Sequence, residues 1–203
     1  MKIGPRYKIG KRLGASVFEK CQTQKFVLSE ARSKKRRTSR RPNQMSDYGK
    51  QLLEKQKVRF TYGITEKQLS KYVKNATESS AESKNMIFEG LETRLDNITY
   101  RLGLATTRRF ARQMVSHGHI MVNGKRVTVP SYKVGMKDVV SVRENSKEKG
   151  LFVGFEERFK EHSVPTWLSF DAKKQEGKMS TLPELTVADA SLDLDLVLEF
   201  YSR

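Results

Sequence analysis

The stretch RLDNITYRLGLATTRRFARQMVSHGHIMVNGKRV, Arg94 to Val127, changes its hydrophobic period halfway along, and that change decides the fold. Leu91, Leu95, Ile98 and Leu102 recur at i, i+4, i+7 and i+11, one stripe of a single helix. Gly103 is placed to end that helix. Thr107 offers an N-cap hydroxyl to a second helix, RRFARQMVSHG. Its apolar stripe is Phe110, Ala111, Met114 and Val115, and Gly118 closes it. Beyond Gly118 the period falls to two. HIMVNGKRVTV reads as strand, Asn-Gly turn, strand, because a type I′ turn needs positive φ at both central positions. SYKVGMKDVVSV reads as a further strand pair around Gly135. Residues 91–142 therefore spell two helices followed by a small, mostly antiparallel sheet.

The helices carry a charge pattern that their packing does not require. Arg94 and Arg101 lie two turns apart on one face, and Arg108 and Arg112 are neighbours at i, i+4. Adjacent like charges destabilise an isolated helix, so their presence points to a polyanion that offsets the repulsion. The whole chain agrees. Its 203 residues carry 40 Lys+Arg against 23 Asp+Glu, a formal charge of +17, which makes nucleic acid the default partner. No apolar run approaches the ~20 residues of a membrane span, and the basic amino-terminus has no apolar signal core. Cys21 is the only cysteine, which excludes a disulfide within the chain and a cysteine-based zinc site.

The charge is uneven. Residues 1–59 hold 18 of the 40 Lys+Arg and 4 of the 23 Asp+Glu. The densest part, RSKKRRTSRRP from Arg32 to Pro42, cannot bury itself and reads as an arm that orders on phosphates. Tyr7, Ile9, Leu13, Phe18 and Phe26 are interleaved with the bases and imply partial docking of that arm. Next comes a helix capped by Ser46 and Asp47, with Leu52, Leu53 and Phe60 near one stripe. Gly63 breaks it, Thr65 starts another, residues 76–85 read as a polar loop or fraying end, and a third begins near Met86. The closing LDLDLVLEFYSR places Leu192, Leu194, Leu196, Leu198 and Phe200 two apart, the period of a half-buried strand.

Three tempting signals carry little. HGHI resembles a scrambled nucleotide-binding motif, and GKMS, Gly177 to Ser180, resembles part of a synthetase loop. The residue order is wrong in the first, and no adequate βαβ region accompanies them. His117 and His119 could face one way on a strand, but the third ligand a metal needs is missing locally. Neither a nucleophile–base pair nor a glycine-rich phosphate loop is present.

The Arg94–Val127 stretch closely resembles the RNA-binding module of the bacterial small-subunit ribosomal protein S-four family. That module also occurs in pseudouridine synthases, tyrosyl-tRNA synthetases and a ribosome-rescue heat-shock protein, so the flanks decide. GPRYKIGKRLG at 4–14, YGKQLLEKQKVRFTYGITEKQ from Tyr48 to Gln68, PTWLSFDAKKQEGK from Pro165 to Lys178 and the closing LVLEFYSR also resemble the ribosomal family, in order. Some members bind zinc through four amino-terminal cysteines; with Cys21 alone, no metal is expected here. Residues 15–39 match poorly. Gly118-His119 stands where some relatives carry Lys-Ala, so no phosphate contact is carried over to position 118.

The resulting expectation is an α+β protein. A basic extended arm (1–45) precedes a helical domain (46–90, joined by 180–203), and an αα–β RNA-binding module with its sheet extension follows (91–179). The expected RNA-facing residues of the module are Arg94, Arg101, Arg108, Arg109, Arg112, Gln113, His117, Asn123 and Lys125. Those of the arm are Arg6, Lys8, Lys11, Arg12, Arg36, Arg37, Arg40 and Arg41. The resemblance implies a cytoplasmic structural component of the small ribosomal subunit, without catalytic residues, cofactor, membrane or small-molecule substrate. It would bind the 5′ domain of small-subunit ribosomal RNA at a helical junction and nucleate assembly of the subunit body. It would also contact ribosomal protein S-five and other small-subunit proteins and line the messenger RNA entry path, with a part in translational accuracy. The rival is a stand-alone RNA-binding module of the heat-shock or pseudouridine synthase type.

Overall fold

The computed structural model describes residues 3–14, 17–36, 45–79, 82–147, 152, 159, 162–171, 174–185 and 192–202, with 34–36 as backbone only. The chain forms two compact units, residues 1–87 with 185–203, and residues 88–184.

In the first unit, the segment expected to be an extended arm is helical over much of its described part. Helix α1 (Arg6–Leu13), a 3-10 turn (Glu19–Gln22) and α2 (Gln24–Arg36) enclose a small core of Leu13, Val17, Phe18, Cys21 and Phe26. The interleaved apolar residues build this core and so hold the bases on a folded surface. Gly10 makes it possible: a Cβ there would lie 2.6 Å from the Cys21 Sγ. Cys21 is fully buried. Burial pushes its thiol up from the ordinary value, against the lowering effect of Arg6 and Lys20, so it packs as a small apolar group.

Helix α3 (Asp47–Tyr62) starts as expected, with the Ser46 hydroxyl accepting from the Gly49 N–H at 3.3 Å, and ends at Gly63 in the left-handed region (φ 64°). Its buried positions are Gln51, Lys55, Val58 and Tyr62, while Leu52, Leu53 and Phe60 are half-buried. The polar burial has a tertiary cause: the carboxy-terminal segment lies along that face as helix α9 (Leu194–Tyr201). This overturns the strand expected there. Asp193 caps the helix, accepting from the N–H groups of Asp195 and Leu196 at 3.0 and 3.2 Å. Leu194 and Val197 are buried and Leu198 half-buried, a helical i, i+3, i+4 set that alternating leucines conceal.

One carboxylate organises this unit. Glu66 opens α4 (Glu66–Ser79), which starts on a reciprocal Thr65–Gln68 cap. Glu66 Oε1 accepts from Lys55 Nζ at 2.9 Å and from the Tyr201 hydroxyl at 2.6 Å, and Oε2 lies 2.9 Å from Arg59 Nη1. Lys55, only 6% exposed, also sits 4.0 Å over the Phe200 ring, and Gln51 donates to Glu199 at 3.0 Å. Burial works to raise the Glu66 carboxyl. The hydrogen bonds from Tyr201 and Lys55, with the charges of Lys55 and Arg59, outweigh it and hold the group below its ordinary value. Burial and Glu66 push the Tyr201 phenol upward.

The second unit begins within α5 (Ser83–Glu92), a helix that starts just before the expected position near Met86. It contains α6 (Leu95–Arg101), α7 (Arg108–Ser116), β1 (Ile120–Val122), β2 (Lys125–Arg126), β3 (Val139–Val142), α8 (Glu144–Lys147), β4 (Leu168–Asp171) and β5 (Glu176–Met179). The sheet order is β2-β1-β3-β5-β4, and every pairing is antiparallel. The Asn123-Gly124 turn has the positive φ values its sequence demands, 51° and 73°. The continuous helix expected from Leu91 to Leu102 is broken at Thr93–Arg94. The amides of Leu95 and Asp96 bond instead to the carbonyls of Tyr132 and Pro130, at 2.9 and 3.1 Å. The four stripe residues nevertheless remain buried. The strand pair expected around Gly135 is replaced by turns over 131–138 and the single strand β3, because that loop serves α6. GKMS forms most of β5, and Gly177 has no room for a side chain because Leu102 would lie 2.5 Å from its Cβ.

Replacing Tyr201 with Phe removes one hydrogen bond to a partly exposed carboxylate, and is expected to cost about 1 kcal/mol near neutral pH. The Glu66 contribution is present above the ordinary glutamate range and is lost as pH falls through its lowered value. The raised phenol keeps its contribution below the ordinary tyrosine value and loses it as pH climbs beyond. Chemical denaturation across pH should show the stability difference between the native chain and Tyr201→Phe closing at both extremes.

Candidate nucleic-acid interface

The basic face of the second unit rests on two buried acids. Glu92 is the last residue of α5, is wholly buried, and takes Arg101 as a fork. Its Oε1 and Oε2 accept from Arg101 Nη2 and Nε, both at 2.8 Å. Glu92 Oε2 also accepts from the Asn97 amide at 2.8 Å. Asn97 Oδ1 in turn accepts from Arg108 Nε at 2.7 Å, and Arg108 Nη2 lies 3.9 Å from Glu92. Asp96, 4% exposed, receives Arg94 through Nε and Nη2 at 3.0 and 2.8 Å and Arg112 Nη1 at 3.4 Å. Four guanidinium groups thus share two carboxylates, leaving the cluster net positive.

Pairing sorts the expected contact residues. Arg94 is only 1% exposed and spans the break between α5 and α6 as a structural ion pair, which removes it from any outer surface. Its place on a helical face assumed a continuous helix, and the break at Thr93–Arg94 turns it inward. Arg101, Arg108 and Arg112 keep 24%, 19% and 32% of their side-chain surface exposed. Arg108 also lies 4.5 Å over the Tyr100 ring. They form a half-buried rim whose charges are held in place before any ligand arrives.

Arg109, Gln113 and His117, four apart along α7 and into its C-cap, are exposed on one stripe. At the hairpin tip Lys125 is exposed, and neither it nor Arg109 forms an ion pair among the described residues. Asn123 is exposed too, but its amide is engaged with the start of β3, donating to Asp138 Oδ1 at 2.7 Å and accepting from the Val139 N–H at 2.9 Å. Gly118 has φ 73° with Arg126 packed directly over it, and Arg126 Nη2 donates to the His117 carbonyl at 3.3 Å. A lysine at position 118 would be strained and would collide with Arg126. His119 turns away to Ser146 Oγ at 3.0 Å, and its ring centre is 6.2 Å from that of His117. No cluster of three or more metal-ligating side chains occurs among the described residues.

In the first unit, Lys8 and Arg12 are exposed. With Lys11, Ser33, Met45 and Gly49 they line an open groove. Lys11 is tied down, donating to the Ser29 carbonyl, the Ser29 hydroxyl and the Ser33 hydroxyl at 3.0, 2.9 and 2.7 Å. Arg6 is half-buried. Of Arg36 only the backbone is described, at the end of α2, and Arg37, Arg40 and Arg41 lie outside the described residues. The residues missed by sequence reasoning are Glu92, Asp96 and Asn97. Nothing in their spacing marks them, because the turn at Thr93–Arg94 brings Glu92 back against Asn97 and Arg101.

Residues 1–93 match the family model described as the ribosomal protein S4/S9 N-terminal domain, and residues 93–140 match the S4 domain. The small ribosomal subunit protein uS4 of Herpetosiphon aurantiacus is 41% identical, with 98% of each chain covered. That of Levilactobacillus brevis is 43% identical, again over 98% of each. That of Shewanella loihica is 40% identical over 99% of this chain and 98% of its own. No helix of the described residues is long and apolar enough to cross a membrane.

Arg94→Ala leaves the buried Asp96 with Arg112, at 3.4 Å, as its cation partner among the described residues, and should destabilise the second unit by about 3 kcal/mol. Arg109→Ala should stay within about 0.5 kcal/mol of the native chain. Urea unfolding of both variants checks the contrast, and equal midpoints would show that burial of Arg94 contributes nothing special.

Proposed function

We infer the function from one premise: the chain belongs to the small ribosomal subunit protein uS4 family. It is a structural protein of the small ribosomal subunit that binds ribosomal RNA, and it is not an enzyme. Its place is the ribosome of the cytoplasm. A heat-shock or pseudouridine synthase role for the same module is not favoured, since relatives of this one kind match nearly the whole chain.

The observation that carries the RNA-binding mechanism is the division of cations in the second unit. A rim of Arg101, Arg108 and Arg112 is fixed on buried acids, beside the exposed Arg109, Gln113, His117 and Lys125. The rim supplies rigid guanidinium forks for phosphates, which lose little entropy on binding. The exposed bases release counterions from the RNA, and Gln113 offers an amide to a 2′-hydroxyl. Double-stranded RNA hides its base edges in a deep, narrow groove, so such a surface reads backbone geometry and junction shape. In the first unit, Lys8, Arg12 and the bases from Arg36 to Arg41 extend the contact along the RNA. Arg94, buried against Asp96, takes no part in this surface.

The resemblance supports a finer reading. The chain binds the 5′ domain at a helical junction, where it nucleates assembly of the subunit body. It contacts ribosomal protein S-five, lines the messenger RNA entry path and takes part in translational accuracy. Its working segments are the basic region 1–45, the helical domain 46–90 with 180–203, and the module 91–179.

Arg109→Ala combined with Lys125→Ala should weaken binding to a small-subunit ribosomal RNA transcript. It should also flatten the plot of log affinity against log salt by roughly 1.5 units, the share of two phosphate contacts. An unchanged slope would remove α7 and the hairpin from the interface. In cells the chain should sediment with small subunits and their early assembly particles, and recovery with large subunits would favour the rival reading.

A further inference from the structure

Arg108 is held from two sides, by the buried Asn97 and the half-buried Tyr100. Asn97, 2% exposed, sits between Glu92 and Arg108 with both ends of its amide in use. The Nδ2 donates to the Glu92 carboxylate at 2.8 Å and to the Glu92 carbonyl at 3.1 Å, and Oδ1 accepts from Arg108 Nε at 2.7 Å. This fixes the orientation of the amide, because a flipped side chain would face its oxygen toward a carboxylate and its nitrogen toward a guanidinium. Tyr100, in the same helix, supports the guanidinium plane at 4.5 Å. Arg108 begins α7 immediately after its Thr107 cap, whose hydroxyl accepts from the Phe110 N–H at 3.1 Å, so its backbone is fixed as well.

The chemistry of the bridging residue matters. Arg101 meets the Glu92 carboxylate directly as a fork, whereas Arg108 Nη2 stays 3.9 Å from it and Arg108 Nε donates its short bond to a neutral amide oxygen. A carboxylate at position 97 would neutralise Arg108 and add a second buried negative charge beside Glu92. The amide aims the guanidinium without neutralising it. Because Arg101 and Arg108 share the single Glu92 carboxylate, the group stays net positive toward an external anion while the direction of Arg108 is set in advance.

We propose that Asn97, supported by Tyr100, is a positioning residue for RNA binding, whose amide orients Arg108 toward a phosphodiester of the RNA. This rests on the reading of the α7 rim as an RNA-binding surface. Asn97 touches no RNA itself and acts through Arg108. A residue that served only the core would lower stability without selecting one arginine.

The test is a double-mutant cycle on binding to a small-subunit ribosomal RNA transcript, at a temperature where unfolding curves show every variant folded. Arg108→Ala alone should weaken binding about tenfold, the loss of one charge-assisted phosphate contact. Asn97→Ala should weaken the native chain by a similar factor and have almost no further effect once Arg108 is alanine. Tyr100→Leu should behave likewise with a smaller effect, and Tyr100→Phe should bind as the native chain does. If Arg108→Ala binds normally, the rim reading fails and the positioning proposal falls with it. If Arg108→Ala is weak but Asn97→Ala costs the same factor in both backgrounds, the rim reading stands and the positioning role is overturned. Should Asn97→Ala not fold, the native chain still decides. The Arg108 Nε–H resonance should be protected from solvent exchange in the free protein, and rapid exchange there would overturn the proposal.

Discussion

Two buried carboxylates, Glu92 and Asp96, make the second unit what it is. The chain carries a formal charge of +17, and a surface that gathers guanidinium groups repels itself until an anion arrives. Here the anions are internal. Each acid holds two arginines, and burial of the acids keeps the pairs from being screened by salt. The cost of burying each acid is offset by forked, charge-assisted hydrogen bonds. Because each acid serves two cations, the cluster stays positive and its geometry exists before RNA binds.

The break in the helix beside these acids also ties the helices to the loop that precedes the sheet. Breaking the helix at Thr93–Arg94 places Glu92 against Asn97 and Arg101, and it frees the amides of Leu95 and Asp96 to bond to the 130–132 loop. That loop leads into β3, the central strand of the sheet. The hairpin carrying Lys125 pairs through β1 with that same strand. A single break in the helix thus sets the rim of arginines and anchors the loop that leads to the strand on which the hairpin pairs. The first unit uses a related device at Glu66, where one carboxylate gathers Lys55, Arg59 and Tyr201 and fastens the carboxy-terminal helix.

Much of the architecture was legible in local pattern. The α7 cap at Thr107, the Asn-Gly hairpin and the caps at Ser46 and Thr65 depend on residues within four positions of one another, so short-range chemistry reveals them. The family was legible because four further motifs flank the module in order. The carboxy-terminal helix was misread because leucine at every second position satisfies a strand, whereas Val197 and the Asp193 cap make it a helix only against α3. Arg94 was misassigned for a similar reason, since a continuous stripe from Leu91 to Leu102 gives no sign that the backbone leaves the helix in the middle.

The sequence by itself determined a strongly basic α+β chain, its family, and the stretches in which cations and turns are concentrated. These follow from composition, period and capping, which act over a few residues. Only the tertiary structure decided which arginines remain available to RNA. That choice depends on where buried acids come to rest: Glu92 reaches Arg101 and Arg108, nine and sixteen positions away, and Asp96 reaches Arg112, sixteen positions away. Burial converts those distant pairs from screened surface charges into fixed forks, and no local pattern encodes which residues will be buried together.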